Sequence, residues 1–311
     1  MPAAKGVLVP LDLSAYEGEQ RALDTTAGTG AIVTKLSTDL ISILRNHLVT
    51  ASMGATVLSD MLGPFAIPRQ NQAATGYWVA EGSAPTASNQ TIDQVTFTPK
   101  TVGAYTDYTR RFLEQTSVAA EQFVRNDLMQ VIARAVETAA LNGSGSSNQP
   151  TGVGQNSNVT TVSIGANGGN PTWATLIGME SALATANADL GRLGYIVNAK
   201  TRGYLKQAPK IGSTFPVFLW DGTETPINGY PAGVTNILPS NLTKGSGTGL
   251  SMMLFGNWND LLIALWSGVD LLTDPYTGSS TGNVRVVALQ DVDINVRHPE
   301  SFAKVVDVQT S

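Results

Sequence analysis

The sequence predicts an α+β fold, and three patterns carry that prediction. One long amphipathic helix is spelled out over Val118–Leu141. Apolar residues alternate along Val284–Val296 as they do in a strand with one buried face. No regular strand–helix repeat, of the kind that builds barrels or doubly wound sheets, runs along the 311 residues.

Residues 1–30 contain Gly6, Pro10, Gly18, Gly28 and Gly30 with little periodicity. They read as an arm that orders across a partner, or as a tail that binds nothing. Thr34 then caps a short helix in which Leu36, Leu40, Ile43, Leu44 and Leu48 form one stripe, with His47 beside it as a packing or surface residue. The chain turns through Gly63, Pro64 and Pro68. Residues 69–100 follow as a long hairpin, with strand runs at Tyr77–Ala80 and Ile92–Thr98 and a polar tip holding Gly82, Pro85 and Asn89. Hairpins with so few apolar anchors are marginal alone in water, so this one either packs on a neighbour or covers a site; no catalytic cluster lies near it, which favours the neighbour.

A strand over Thr101–Thr109 leads to the long helix, which Ser117 caps and which would run about 36 Å at the α-helical rise. Phe123, Val124, Leu128, Val131, Ile132, Val136 and Ala139 share its broad apolar face, Glu121 and Arg125 pair on another, and Gly143 and Gly145 end it. From Thr138 to Met179 no charged residue occurs, and the middle of that stretch reads as loop and short hairpin. Asn170 and Pro171 open a helix over Thr172–Leu190, closed by Gly191. A short strand at Tyr195–Val197 and a helix opening at Thr201–Leu205 come next. Leu254–Phe255, Leu261–Trp266, Val269–Leu272 and finally Val284–Val296 supply the remaining strands.

Composition narrows the chemistry. Cysteine is absent and the only histidines are His47 and His298, which argues against a zinc site of the usual kind and against thiolate catalysis. Charged residues make up 14% of the chain and the net charge is −5, so no overall positive field invites nucleic acid. No apolar stretch approaches membrane-spanning length, and the N-terminal run Val7–Leu11 is too short for a secretory signal. Gly143-Ser144-Gly145 follows a helix instead of preceding one, the reverse of the order a phosphate site needs. Neither Gly28-Thr29-Gly30 nor the glycines after Lys244 complete a nucleotide-binding frame. Asp291 and Asp293 share a strand face and could form an acid or metal pair, but a solvated strand edge or an intersubunit salt bridge is the preferred reading. Asp107, Arg110, Arg111 and Glu114 are the densest mixed-charge spot. The sequence thus predicts neither a catalytic site nor a cofactor.

Several segments, in order over roughly residues 32–308, resemble the major capsid proteins of tailed bacteriophages with the HK97-type fold. GYWVAEGSAP at 76–85 with TFTPK at 96–100 is similar to that family's extended hairpin, the E-loop. Arg110–Glu114 and the long helix resemble its spine helix, followed by Asn148-Gln149-Pro150-Thr151-Gly152. Asn198-Ala199-Lys200-Thr201 with Tyr204-Leu205, then NGYPAGVTNILPS at 228–240 and LFGNWNDLLIALWSGVDLLTD at 254–274, continue the match, with Asn257 where the family commonly has an acid. The C-terminal VRVVALQDVDINVRHPESFAKV at 284–305 is the most specific piece.

The resemblance implies an N-terminal arm at 1–30, a peripheral domain from 31–67, 101–149 and 276–311, the hairpin at 68–100 and an axial domain at 150–275. It implies a structural protein assembling as hexamers and pentamers into an icosahedral shell around double-stranded DNA, with many copies of itself as partners. It further implies a separate scaffolding protein, a portal and a decoration or cement protein as partners, with assembly in the host cytoplasm and no membrane. Encapsulin-type nanocompartment shells share this fold and remain an alternative; a hydrolytic enzyme is a remoter one. Tyr77, Trp78, Glu81, Arg110, Arg111 and Glu114 are the expected intersubunit contacts. The chain starts almost directly with the arm, which implies prior processing or a separate scaffold. No lysine lies between Ile67 and Pro99, which argues against the isopeptide crosslink that some members form through the hairpin.

Overall fold

A computed structural model of the chain describes residues 48–109, 111, 119–210, 217–221 and 226–310, which all belong to one compact unit spanning residues 44–311. The expected arm, nearly all of the first expected helix, and Arg110 and Glu114 lie outside the described residues.

A short helix α1 (Thr50–Met53) precedes β1 (Thr56–Leu58), β2 (Phe65–Gln72), β3 (Thr91–Phe97) and β4 (Lys100–Thr109), and the long helix α2 (Ala119–Asn142) follows. Next come β5 (Thr160–Thr161), α3 (Trp173–Thr185), β6 (Leu193–Val197), α4 (Ala199–Gln207), β7 (Ala232–Val234), β8 (Leu242–Lys244) and β9 (Gly247–Asn257). The chain closes with β10 (Leu261–Leu265), β11 (Asp270–Asp274), β12 (Asn283–Val296) and β13 (Phe302–Val308).

The longest strand organises the first sheet. β12 is flanked on one side by β4 and on the other by β11 along its first half and β10 along its second; β1 extends the sheet beyond β10. Because alternate residues of β4 and β12 face opposite ways, Val102, Ala104, Val286 and Ala288 meet Val124, Leu128, Ile132 and Val136 of α2. These helix residues recur every fourth position, the spacing of one helical face.

The second sheet runs in the order β5-β13-β9-β6-β7, with β8 also paired to β9. Its central strands are apolar on both faces, as strands covered on both sides must be. Tyr195, Val197, Met253, Phe255, Ala303 and Val305 pack with Leu176, Met179 and Leu183 of α3 and Leu205 of α4. Ile196, Leu254 and Phe302 point the other way, into a core shared with Ile263, Val292, Ile294 and Val296 of the first sheet and Ala139–Leu141 of α2. Trp258 is fully buried there, edge-on to Phe302, and its indole donates to the Gly194 carbonyl at 2.9 Å.

Several expected boundaries shift, each for a local reason. Tyr77–Ala80 is irregular, and the first hairpin strand is Phe65–Gln72, so Pro68 lies within a strand instead of a turn. The helix expected over Thr172–Leu190 stops at Thr185, because Asn187 adopts a left-handed conformation and the amides of Asn187 and Ala188 close the last turn on Ala184 and Leu183. The helix expected from Thr201 starts at Ala199, where the Asn198 side chain accepts from the Thr201 amide at 2.8 Å. The charge-free loop after α2 folds back on the helix end: Gly152 donates to Gly143, Val153 to Ala140 and Gly154 to Leu141. A Cβ on Gly152 would sit 2.4 Å from the Gly143 nitrogen, so the approach requires glycine. Lys304, buried in β13, holds the same loop through the carbonyls of Gly154 and Asn156, and desolvation depresses its pKa.

One buried carboxylate ties the start of the described chain to the long helix. Glu137 of α2, 5% exposed, accepts from the amides of Val49 (2.7 Å) and Thr50 (2.9 Å) and from the Thr50 hydroxyl. Glu137→Gln replaces one acceptor oxygen by a donor facing another donor, and should cost about 1.5–3 kcal/mol, the worth of hydrogen bonds to a charged group. A lowered urea midpoint at unchanged slope is the expected readout.

Candidate functional site

The β2–β3 hairpin is firmly seated at its base and, among the described residues, has few contacts beyond it. At the base Val95 and Phe97 pack with Leu262 and Ala264. Phe65 stacks on Phe97 at 4.8 Å between ring centroids and tilts against Trp266 at 5.9 Å, while the Trp266 indole donates to the Gly63 carbonyl at 2.7 Å. Polar ties continue the anchoring. Asn295 donates to the Thr96 carbonyl, and Asp293 accepts from the Thr98 amide and from Lys100 at 2.9 Å. Arg69 bridges the Arg297 carbonyl and the Asp93 carboxylate.

Past Gln72 the ladder stops. Between there and Thr91 the hydrogen bonds are a Thr75–Ser88 pair and one turn from Ser83 to Ala80. Tyr77 and Val79 are about half exposed and Trp78 is fully exposed. Tryptophan is among the most buried residue types on average, so a fully exposed indole is unusual. Glu81, also exposed, sits beside these side chains. Tyr77, Trp78 and Glu81 thus lie in one exposed stretch of the hairpin, as their places in the sequence require. Arg111 is exposed elsewhere on the chain.

The mixed-charge spot around Asp107 resolves differently from its sequence neighbourhood. Asp107 receives both Nε and Nη2 of Arg285, at 2.7 and 2.9 Å, and that guanidinium lies 4.6 Å over the Tyr105 ring. The Arg285 hydrogen bonds hold the Asp107 carboxyl below its ordinary range and push the guanidinium up. The strand register sets Tyr105, Val287 and Leu272 in one row across β4, β12 and β11, next to Asp107, Arg285 and Asp274. Tyr105 and Leu272 are exposed. This apolar row on the sheet face away from α2 was not read from the sequence. The alternation of β4 and β12 identifies candidate faces, but only the register places Tyr105 beside Val287.

Asp291 and Asp293 each have their own partner within the chain, and their strand is not an edge. Asp293 is buried against Thr98 and Lys100, Asp291 accepts from the Thr101 hydroxyl at 2.6 Å, and β12 is an interior strand. Among the described residues no cluster of acids and histidines could hold a metal ion, and no helix is long and apolar enough to cross a membrane.

The chain matches the phage capsid family over residues 28–307. It is 30% identical to the major capsid protein of Halomonas phage phiHAP-1 over 304 residues, which cover 96% of this chain and 48% of that protein, so the chain spans about half the length of that relative. The capsid of the native GTA particle superposes with a TM-score of 0.69 at 18% identity, covering 92% of this chain and 98% of that one. A structure from Mycobacterium phage Adephagia reaches a TM-score of 0.71 at 9% identity, covering 94% and 100%. The chain therefore belongs to the phage capsid family, with an HK97-like fold.

Proposed function

We propose that this chain is a major capsid protein whose copies associate as hexamers and pentamers and close into an icosahedral shell around double-stranded DNA. The observation that carries the proposal is the hairpin tip, where Tyr77, Trp78 and Val79 stand exposed and outside every apolar cluster of the described residues. A neighbouring copy supplies what the chain lacks, and the row of Tyr105, Val287 and Leu272 offers a second apolar surface for such contacts. Each contact is modest, and its repetition around a closed shell makes the assembly stable.

The sheet built on β4 and β12, with α2, serves as the peripheral part of the subunit, and the sheet built on β9 serves as the axial part. The role is mechanical and involves no catalysis. A scaffolding protein, a portal and a decoration protein are further partners in this reading, DNA is contained without being read, and the virion is where the shell resides after assembly in the host cytoplasm. Native mass measurement and negative-stain microscopy of the purified chain test it. Capsomers or shells are expected; a stable monomer at all concentrations overturns it.

A further inference from the structure

At the base of the hairpin lies a cleft of about 400 Å³ whose titratable lining is entirely basic or imidazole. Arg69 comes from β2, and Arg297 and His298 from the residues just after β12; Ile67, Val95 and Leu262 form the apolar wall. No carboxylate lines it. Arg69 already holds the Asp93 carboxylate at 2.9 Å and the Arg297 carbonyl at 3.0 Å, which leaves Arg297 and His298 as the side chains open to a further acid. Among the described residues the nearest carboxylate to Arg297 is Asp260, whose Oδ1 stands 3.8 Å away, beyond hydrogen-bond distance, while its Oδ2 accepts from Asn257 and Ser301. The exposed His298 side chain has no hydrogen-bond partner among the described residues. A guanidinium is satisfied best by a carboxylate, which can take two parallel N–H donors.

The hairpin tip carries the complementary chemistry. Glu81 is the one charged residue between Arg69 and Asp93 in sequence. It is exposed, and it makes no hydrogen bond or ion pair among the described residues. Beside it stand Tyr77, Trp78 and Val79, apolar groups of the kind the cleft wall accepts. Tip and cleft are thus an acid with apolar neighbours and a basic pocket with an apolar wall, both open on the same chain.

Resting on the shell reading above, we propose that the cleft of Arg69, Arg297 and His298 receives Glu81 from the hairpin tip of a second copy. The two surfaces differ, so the contact is heterologous: each subunit gives a tip to one neighbour and a cleft to the other. Repeated around an axis, such a contact closes into a ring. The apolar flank contributes burial, and the charge pair sets which part of the neighbour the tip selects.

The absence of cysteine makes the pairing directly testable. Glu81→Cys and His298→Cys are combined in one chain, and assembled material is treated with a short bis-maleimide. A chain with one thiol can form nothing larger than a crosslinked dimer, whereas head-to-tail pairing of chains with two gives trimers and higher rungs on a denaturing gel. The expected result is that ladder in the double variant, with each single variant remaining monomeric. Assembled double variant without a ladder overturns the pairing while leaving the shell reading intact.

Should the double variant not assemble, charge reversal decides. E81K is expected to melt as the native chain does and to lose about tenfold in particle yield, the change that one desolvated charge pair can bring. Combining it with H298E should recover the yield. Undiminished yield in E81K, or no recovery in the combined variant, overturns the proposal. A native chain that forms neither capsomers nor shells overturns the shell reading, and this inference with it.

Discussion

Changing Tyr77, Trp78 and Val79 together to serine leaves subunit folding intact and abolishes assembly. The first half follows from exposure: these side chains lie outside every apolar cluster of the described fold, and surface substitutions away from such features change stability by only about 0.5 kcal/mol. The second half follows from interface energetics. Buried aromatic anchors dominate binding, with truncation of a central one costing about 2 kcal/mol or more. In a ring or shell that loss recurs at every contact, so a modest change per site becomes a large change in the concentration at which particles form. Thermal unfolding and light scattering over a concentration series would show an unchanged melt and no particles. Assembly at native concentrations would refute the claim.

Asp307→Ala is expected to be the most damaging single change to the fold itself, at about 3–5 kcal/mol, the usual cost of breaking a buried ion pair by removing one partner. Asp307 in β13 is 0% exposed. One of its oxygens accepts from Lys244 at 2.6 Å, from the Ser163 hydroxyl at 3.0 Å and from the Ile164 amide at 3.0 Å. It therefore pins the loop after β5 and the end of β8 to the last strand of the sheet.

Burial alone would raise its pKa, but Lys244, the Ile164 amide and the Ser163 hydroxyl outweigh burial and hold the carboxyl below its ordinary value of 3.8. A depressed carboxyl stabilises the fold above the unfolded-state pKa, and that contribution is lost as pH falls through the folded-state value. Native protein should accordingly lose stability below about pH 4, and Asp307→Asn should show a flatter profile there. Urea midpoints across acidic pH measure both; parallel profiles for the native chain and Asp307→Asn would refute the assignment.

The long helix was legible because its apolar positions fall on one face over many turns, and β12 because its alternation persists; the helix ends within a residue of the expected Leu141 and β12 spans its expected run within a residue, while the expected cap Ser117 lies outside the described residues. The hairpin was legible as a segment without enough apolar anchors to hold itself. Its second strand lies within a residue of the expected Ile92–Thr98, but the first was misplaced, because Phe65 and Ile67 fall between Pro64 and Pro68, where a turn was expected, and their strand character depends on facing Phe97 and Val95. Expected contacts at Arg110 and Glu114 belong to residues outside those described, while Asp107 of the same cluster found its partner far away in sequence.

By itself the sequence determined the α+β class, the long helix, the closing strand and the presence of a hairpin with few apolar anchors, since each is written in local spacing and side-chain type. Tertiary structure alone decided that Glu137 grips the chain at Val49 and Thr50, that Asp107 meets Arg285, and that Arg69, Arg297 and His298 line one cleft. The physical reason is range. Periodicity reports which face of an element is apolar, whereas the partner of a charge or a buried donor depends on strand register and packing between segments far apart in the chain.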